Sequence, residues 1–231
     1  RIIQKESAPI LLTGYQALNK LIGANVYHSN DEIGGPQVMF RNGVSHLTVK
    51  TDQEGIEKII EWIEFLPVQR GAKLHAPTVS PDPIDRPMQN SSWENLFDLN
   101  SFVEVQSGWA QSVIVGRARL GGIPIGVIVV QTRQTQFFQP ADPADPHSHS
   151  VARAQAGQVW YPDSAYKTAQ AIEDFDREEL PLMILANWRG FSGGKRDMFN
   201  EILKFGSYIV DALRMYSRPV FVYLPPKAEL R

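Results

Sequence analysis

With 231 residues and no cysteine, the chain can bury one large core or two smaller ones, and it has no disulfide, zinc–thiolate or cysteine-nucleophile chemistry. Its formal net charge of −2 gives no bulk attraction to nucleic acid or to an anionic membrane. No apolar run reaches the length of a membrane span and no secretory signal opens the sequence, and its two ends read as those of a fragment.

In chain order, Ile10–Leu12 reads as a short strand, and Thr13 is placed to cap a helix carrying Tyr15, Leu18, Leu21 and Ile22 that Gly23 ends. Val26–Tyr27 and Val38–Phe40 are further strand candidates, with Ser29–Gly35 a polar loop between them. Asn42-Gly43 signals a hairpin before Val44–Val49. Asp52 caps a helix whose apolar face is Ile56, Ile59, Ile60, Ile63 and Leu66, stopped by Pro67.

Residues 68–95 are rich in proline and polar side chains and mark a boundary between two units. Beyond it, Ser101–Ala110 reads as helical. Val113–Leu120 and Ile123–Val130 are strands joined at Gly121-Gly122. Gln136–Ala156 is a proline-rich connection, and Ser164 caps a helix through Tyr166, Ala169, Ile172 and Phe175. Arg218–Leu224 is a last strand. Strands alternating with helices predict an α/β arrangement, with helices packed over sheets.

The densest chemistry lies in Pro181–Arg214. Met183–Ala186 has the apolar run of a strand buried on both faces. Asn187–Gly194 then supplies three glycines, Arg189 and an aromatic pair, and from Arg196 a helical period runs through Met198, Phe199, Ile202, Phe205, Ile209 and Leu213. A glycine turn feeding a helix offers unpaired N–H groups to an anion, and a guanidinium beside it can grip a carboxylate. Spacing alone makes this an ordinary strand–turn–helix corner.

ANWRGFSGG followed by RDMFNEILKFGSYIVDALR resembles the carboxyltransferase domain of multidomain, biotin-dependent acetyl-CoA carboxylase of the eukaryotic type. LTGYQALNK, GGPQVMFRNGVSHLTV, PDPIDRP, SGWAQSVIVGRARLGGIPIGVIVV, AGQVWYPDSAYKTAQAIEDF and PVFVYLPPKAELR extend the likeness over nearly the whole chain. It implies a crotonase-like (ClpP/crotonase) α/β fold of ββα repeats, with parts of two subdomains in tandem: 1–96 from the N-terminal one plus a connecting loop, 97–231 from the C-terminal one.

The implied activity is transfer of CO2 from carboxybiotin to acetyl-CoA, giving malonyl-CoA for fatty acid synthesis. Biotin would arrive on a separate carboxyl carrier domain and be charged by a biotin carboxylase domain of the same parent chain. The site would sit at a homodimer interface, in the cytoplasm or alternatively a plastid. Residue by residue, the likeness makes Arg189 the carboxylate anchor and Gly193 a backbone oxyanion donor. Trp160, Trp188, Phe191, Gly194 and Ile202 would line the substrate and inhibitor pocket, although Ile202 by itself reads first as core. The decarboxylated biotin ureido group would take the substrate proton, since no side chain here reads as a dedicated base.

Departures from the family pattern are a short 68–97 region and Gln131 in place of the usual glutamate. An upstream glycine-alanine segment and the downstream basic residues for CoA are absent, so this segment alone is expected to be inactive. A carboxyltransferase for propionyl-CoA or another acyl-CoA, a crotonase hydratase and a non-catalytic scaffold paralogue are the alternatives.

Other constellations carry less. His147 and His149 sit among prolines and serines beside Asp142 and Asp145, a solvated loop with no assigned metal. His46 and His75 lack an acid or nucleophile partner, and Ser192 reads as a cap or turn ligand. Arg117 and Arg119 read as a solvated strand face, and Asp174–Glu179 as a charged helix end.

Overall fold

The computed structural model describes residues 1–72, 82 and 93–231. In it, β1 (Ile3–Lys5) leads to α1 (Tyr15–Ile22), two single-turn helices α2 (Asp31–Gly34) and α3 (Pro36–Met39), then β2 (Leu47–Val49) and α4 (Asp52–Ile63). β1 pairs with β2 in parallel, Ile3 against Leu47. Sequence patterning is weakest here, and the structure corrects it. Ile10–Leu12 and Val26–Tyr27 are irregular, the polar loop holds α2, and Val38–Phe40 falls on and just after α3. Asn42-Gly43 turns the chain without making a hairpin, because β2 finds its partner 44 residues upstream.

α1 starts at Gly14 rather than on a Thr13 cap, and the Tyr15 N–H donates to Asn30 Oδ1 at 3.0 Å. Gly23 ends it with φ 79°, a left-handed conformation that costs a glycine little. α4 is capped by Thr51 rather than Asp52, which is its first helical residue: the Thr51 Oγ1 accepts from the Glu54 N–H at 3.1 Å. Its row Ile56, Ile59, Ile60 and Ile63 is exposed, against expectation. Aromatic rings on and just after the helix face inward instead: Arg117 lies 4.1 Å over Trp62 of α4, and Arg119 5.3 Å over Phe65 beyond its end.

A 3-10 turn (Trp93–Leu96) precedes β3 (Val103–Val105), β4 (Val113–Leu120) and β5 (Ile123–Val130). The hairpin at Gly121-Gly122 has the predicted bounds, with both glycines at positive φ and both N–H groups held by the Asp98 carboxylate at 2.7 Å. Ser101–Ala110, expected to be helical, contains β3. Its positive-φ residues Gln106 and Ala110 break any helix, and β4 offers a free edge to pair with.

The proline-rich connection folds into an antiparallel pair, β6 (Thr135–Gln139) with β7 (Val151–Gln155). After β8 (Val159–Trp160) come α5 (Pro162–Arg177), β9 (Leu182–Leu185), β10 (Gly190–Phe191), α6 (Lys195–Phe199), α7 (Ile202–Met215) and β11 (Val220–Tyr223). α5 begins on Tyr161, and Ser164 works from inside the first turn, its Oγ accepting the Tyr161 N–H at 2.9 Å.

The main sheet runs β11-β9-β5-β4-β3: an antiparallel meander β3-β4-β5 extended in parallel by β9 and β11. Strand alternation sends Val113, Val115, Ile128, Val130, Leu182 and Ile184 to one face, under α5 and α7. Ala118, Ile125, Val127, Val129 and Leu185 go to the other, against Phe97, Trp93 and Phe102. Gly126 faces α5 so closely that an added Cβ would lie 2.5 Å from the Phe175 ring. No helix among the described residues is long and apolar enough to cross a membrane.

Arg117 overturns its solvated reading. It is 3% exposed and grips Glu178 with two charge-assisted bonds, Nε to Oε2 at 2.6 Å and Nη2 to Oε1 at 2.7 Å. Glu178 also accepts from Arg1 (2.7 Å) and Trp62 Nε1 (3.3 Å), and Asp174 pairs with Arg1. The supposed charged helix end is thus the knot tying β1, α4 and β4 to α5. Beside it His46 is buried, its Nδ1 accepting from the Ile2 N–H at 3.3 Å. Burial, reinforced by Arg1 and Arg117, pushes its pKa down to about 4. Lys167 makes a second tie, donating to the Gln106 and Trp109 carbonyls at 3.0 and 2.8 Å. Complete burial pushes its pKa down to about 8. His75, and all of the 81–87 motif except Asp82, lie outside the described residues.

Candidate active-site turn

β9 ends at Leu185, and the chain then bends through Asn187–Gly194 before α6. The bend is organised by β10, which pairs in parallel with β8. The Arg189 N–H donates to the Gln158 carbonyl at 2.7 Å, and the Ser192 N–H to the Trp160 carbonyl at 2.8 Å. That pairing brings Trp160, Trp188 and Phe191 together, though they come from two separate segments. Trp160 stacks on Trp188 with centroids 3.9 Å apart and on Phe191 at 4.7 Å. Its indole N–H is held by Thr168 Oγ1 at 3.1 Å. Phe191 is half-exposed, whereas Trp188 is buried with its Nε1 unpartnered among the described residues. Ile202 belongs to the same packed cluster as Trp188 and is 1% exposed, in keeping with its core reading.

The helix after the turn is not the long one that the periodicity predicts. It breaks at Glu201, where φ is 68°, into five-residue α6 and fourteen-residue α7. α7 then aims Ile202, Gly206, Ile209 and Ala212 inward, while Met198 and Phe199 stay exposed. The inward residue of α6 is Asp197, which accepts from Ser192 Oγ and from Arg196 Nε at 3.0 Å. Burial pushes the Asp197 carboxyl up, but the hydrogen bonds from Arg196 and Ser192 outweigh it and hold its pKa below the ordinary value. Ser192 is therefore a turn ligand, as expected.

A helix this short adds little dipole, so any anion affinity of the turn rests on its own N–H groups. Those of Gly193 and Gly194 have no hydrogen-bond partner among the described residues. A Cβ built on either glycine would meet nothing within 4 Å, so the backbone stands open to an approaching ligand. Arg189 lies on the same bend with its side chain 51% exposed, and it holds a carboxylate: Nε and Nη2 donate to Glu229 at 2.9 and 3.1 Å. Periodicity puts Asp197 on the polar, outward face of the helix, whereas the structure turns it inward. Glu229 is 40 residues from Arg189 in sequence, and no short-range spacing announces it. The HxH pair and its aspartates lie in the β6–β7 connection, where Asp142 accepts from Tyr27 Oη at 2.6 Å.

Comparison with known proteins identifies the family and the fold. A family model described as the carboxyl transferase domain matches residues 1–229. Acetyl-CoA carboxylases of Schizosaccharomyces pombe, Saccharomyces cerevisiae and Dictyostelium discoideum are 54%, 52% and 51% identical over all of this chain. The chain spans 11% of the length of each. Among solved structures, transcarboxylase 12S with methylmalonyl-coenzyme A and methylmalonic acid bound superposes with a TM-score of 0.70 at 20% identity. That match covers 96% of this chain and 42% of the other. A second transcarboxylase 12S structure, with hydrolysed methylmalonyl-coenzyme A, gives 0.69. The fold is therefore the crotonase-like α/β arrangement expected from the sequence, and the chain belongs to the carboxyl transferase domain family.

Proposed function

We propose that this chain forms part of the carboxyltransferase of an acetyl-CoA carboxylase, which moves CO2 from carboxybiotin to acetyl-CoA and yields malonyl-CoA. The observation that carries the reading is the joint exposure, on one bend, of two N–H groups with no partner among the described residues and a guanidinium already holding a carboxylate. Identity above 50% to named acetyl-CoA carboxylases supports acetyl-CoA over propionyl-CoA as acceptor.

The residues then divide the work. The Gly193 N–H donates to the thioester oxygen, and its bond strengthens as that oxygen gains enolate charge. Arg189 orients the carboxylate in transit through its planar fork. Trp160, Trp188 and Phe191 form an apolar wall, with Ile202 packed in the core behind, and Gly194 leaves room beside the oxyanion donor. Carboxybiotin, brought by a carrier domain, would supply the CO2, and its decarboxylated ureido group would take the proton lost by the acetyl methyl. The division into subdomain parts 1–96 and 97–231, a homodimer and a cytoplasmic or plastid location belong to the same proposal, as does inactivity of this segment alone.

The test is to supply the full-length enzyme with carboxybiotin and either acetyl-CoA or propionyl-CoA. Malonyl-CoA formation is expected to dominate, and Gly193→Val is expected to slow it without loss of fold. Faster turnover of propionyl-CoA would move the chain to another acyl-CoA, and no turnover of either would leave a scaffold.

A further inference from the structure

Arg189 and Glu229 do more than meet. Glu229 occupies one edge of the guanidinium, Nε and Nη2. Nη1 makes no hydrogen bond among the described residues, and Nη2 keeps a second N–H, so the Nη1–Nη2 edge stays open to another carboxylate. Glu229 is itself fastened. Its N–H donates to Asn187 Oδ1 at 2.8 Å, and the same oxygen accepts from Gln158 Nε2 at 2.6 Å. Gln158 closes the circuit by accepting the Arg189 N–H through its carbonyl at 2.7 Å, and the Arg231 N–H binds the Trp188 carbonyl at 3.2 Å alongside. The Arg189 hydrogen bond holds the Glu229 carboxyl below its usual range, so it stays ionised.

A half-exposed arginine left to itself samples many rotamers, and a ligand that needs one of them must bear the cost of selecting it. A carboxylate fixed to the protein backbone makes that selection before the ligand arrives. We propose that Glu229 is a positioning residue, which holds Arg189 with its Nη1–Nη2 edge turned to the carboxylate being transferred. This rests on the role given to Arg189 above. Glu229 touches no reacting atom and acts through the arginine alone.

The experiment uses the full-length enzyme in both directions, with malonyl-CoA as the carboxylate-bearing substrate in reverse. For Glu229→Ala the KM for malonyl-CoA is expected to rise about tenfold, with kcat and the KM for acetyl-CoA within about twofold of wild type. Glu229→Asp, which keeps the charge, is expected to recover part of the loss. Combining Glu229→Ala with Arg189→Ala is expected to be no worse than Arg189→Ala alone, because the glutamate has no other route to the reaction. An unchanged or lowered KM in Glu229→Ala, the latter being the sign of a carboxylate that competes with substrate, overturns the proposal while leaving the Arg189 role intact. Additive losses in the double variant overturn it too. A wild-type rate in Arg189→Ala overturns the role of Arg189 and this inference with it.

Discussion

The molecule makes the same side-chain fork twice, once at Arg117–Glu178 and once at Arg189–Glu229. Both use Nε and Nη2 of the arginine and both oxygens of the glutamate. At the first, the arginine is 3% exposed, lies over the rings of Trp62 and Phe175, and shares its glutamate with Arg1 and Trp62. At the second, both side chains are substantially exposed and one edge of the arginine is open. Burial separates the two. A guanidinium sealed from water is committed to its partner, because leaving either charge alone there is expensive. At the surface, the second edge of the guanidinium stays accessible, so the fork can serve a ligand while Glu229 keeps its place.

The largest effect is expected inside. Arg117→Ala should lower the opening free energy of α5 and β5 by about 3 kcal/mol, because it removes two charge-assisted bonds from a buried pair and leaves Glu178 with only Arg1 and Trp62 as partners. Hydrogen exchange by mass spectrometry on the full-length chain reads this directly, and unchanged protection would make the two forks equivalent.

The buried side should also show in pH. Folded His46 resists protonation down to about pH 4, against an ordinary value of 6.5. Between those limits the unfolded chain takes up a proton that the folded one refuses. Stability is therefore full above about pH 6.5 and falls as pH drops toward 4, with a ceiling of about 3 kcal/mol. The slope of protection against pH in that window should flatten in His46→Gln.

At the outer fork the expectation reverses. Arg189→Ala should cut malonyl-CoA formation at least about a hundredfold while leaving hydrogen-exchange protection of the core unchanged. Lost protection with matching loss of rate would mean that this arginine too is structural.

Smaller still is the contrast between two glycines. Gly126→Ala pushes a methyl group into the Phe175 ring and should cost about 1–3 kcal/mol. Gly193→Ala enters open space and should leave stability within about 0.5 kcal/mol, any effect falling on turnover.

Legibility in the sequence followed the range of the contacts. β4 and β5 were predicted with their observed bounds, because a glycine pair between two apolar runs is a local signal. α5 and β9 were placed nearly as well. The first 50 residues are less legible: β2 pairs with β1 across α1, α2, α3 and their connections, which no window of ten residues contains. The break at Glu201 was hidden because the apolar period continues through it. Only packing of α7 against α5 decides that Ile202 turns inward and Phe199 outward. At the site, motif and glycine content pointed to Arg189 and Gly193, but neither could point to Glu229.

By itself, then, the sequence determined the fold class, the hairpin, the central helix and the turn on which the proposed chemistry rests, since each depends on backbone preferences and periodicity within a few residues. Only the tertiary structure decided which arginine is sealed and which is open, and which glutamate each one holds. Those outcomes depend on burial and on partners 40 to 61 residues away, where the free energy of a charge is set by what surrounds it and not by its neighbours in the chain.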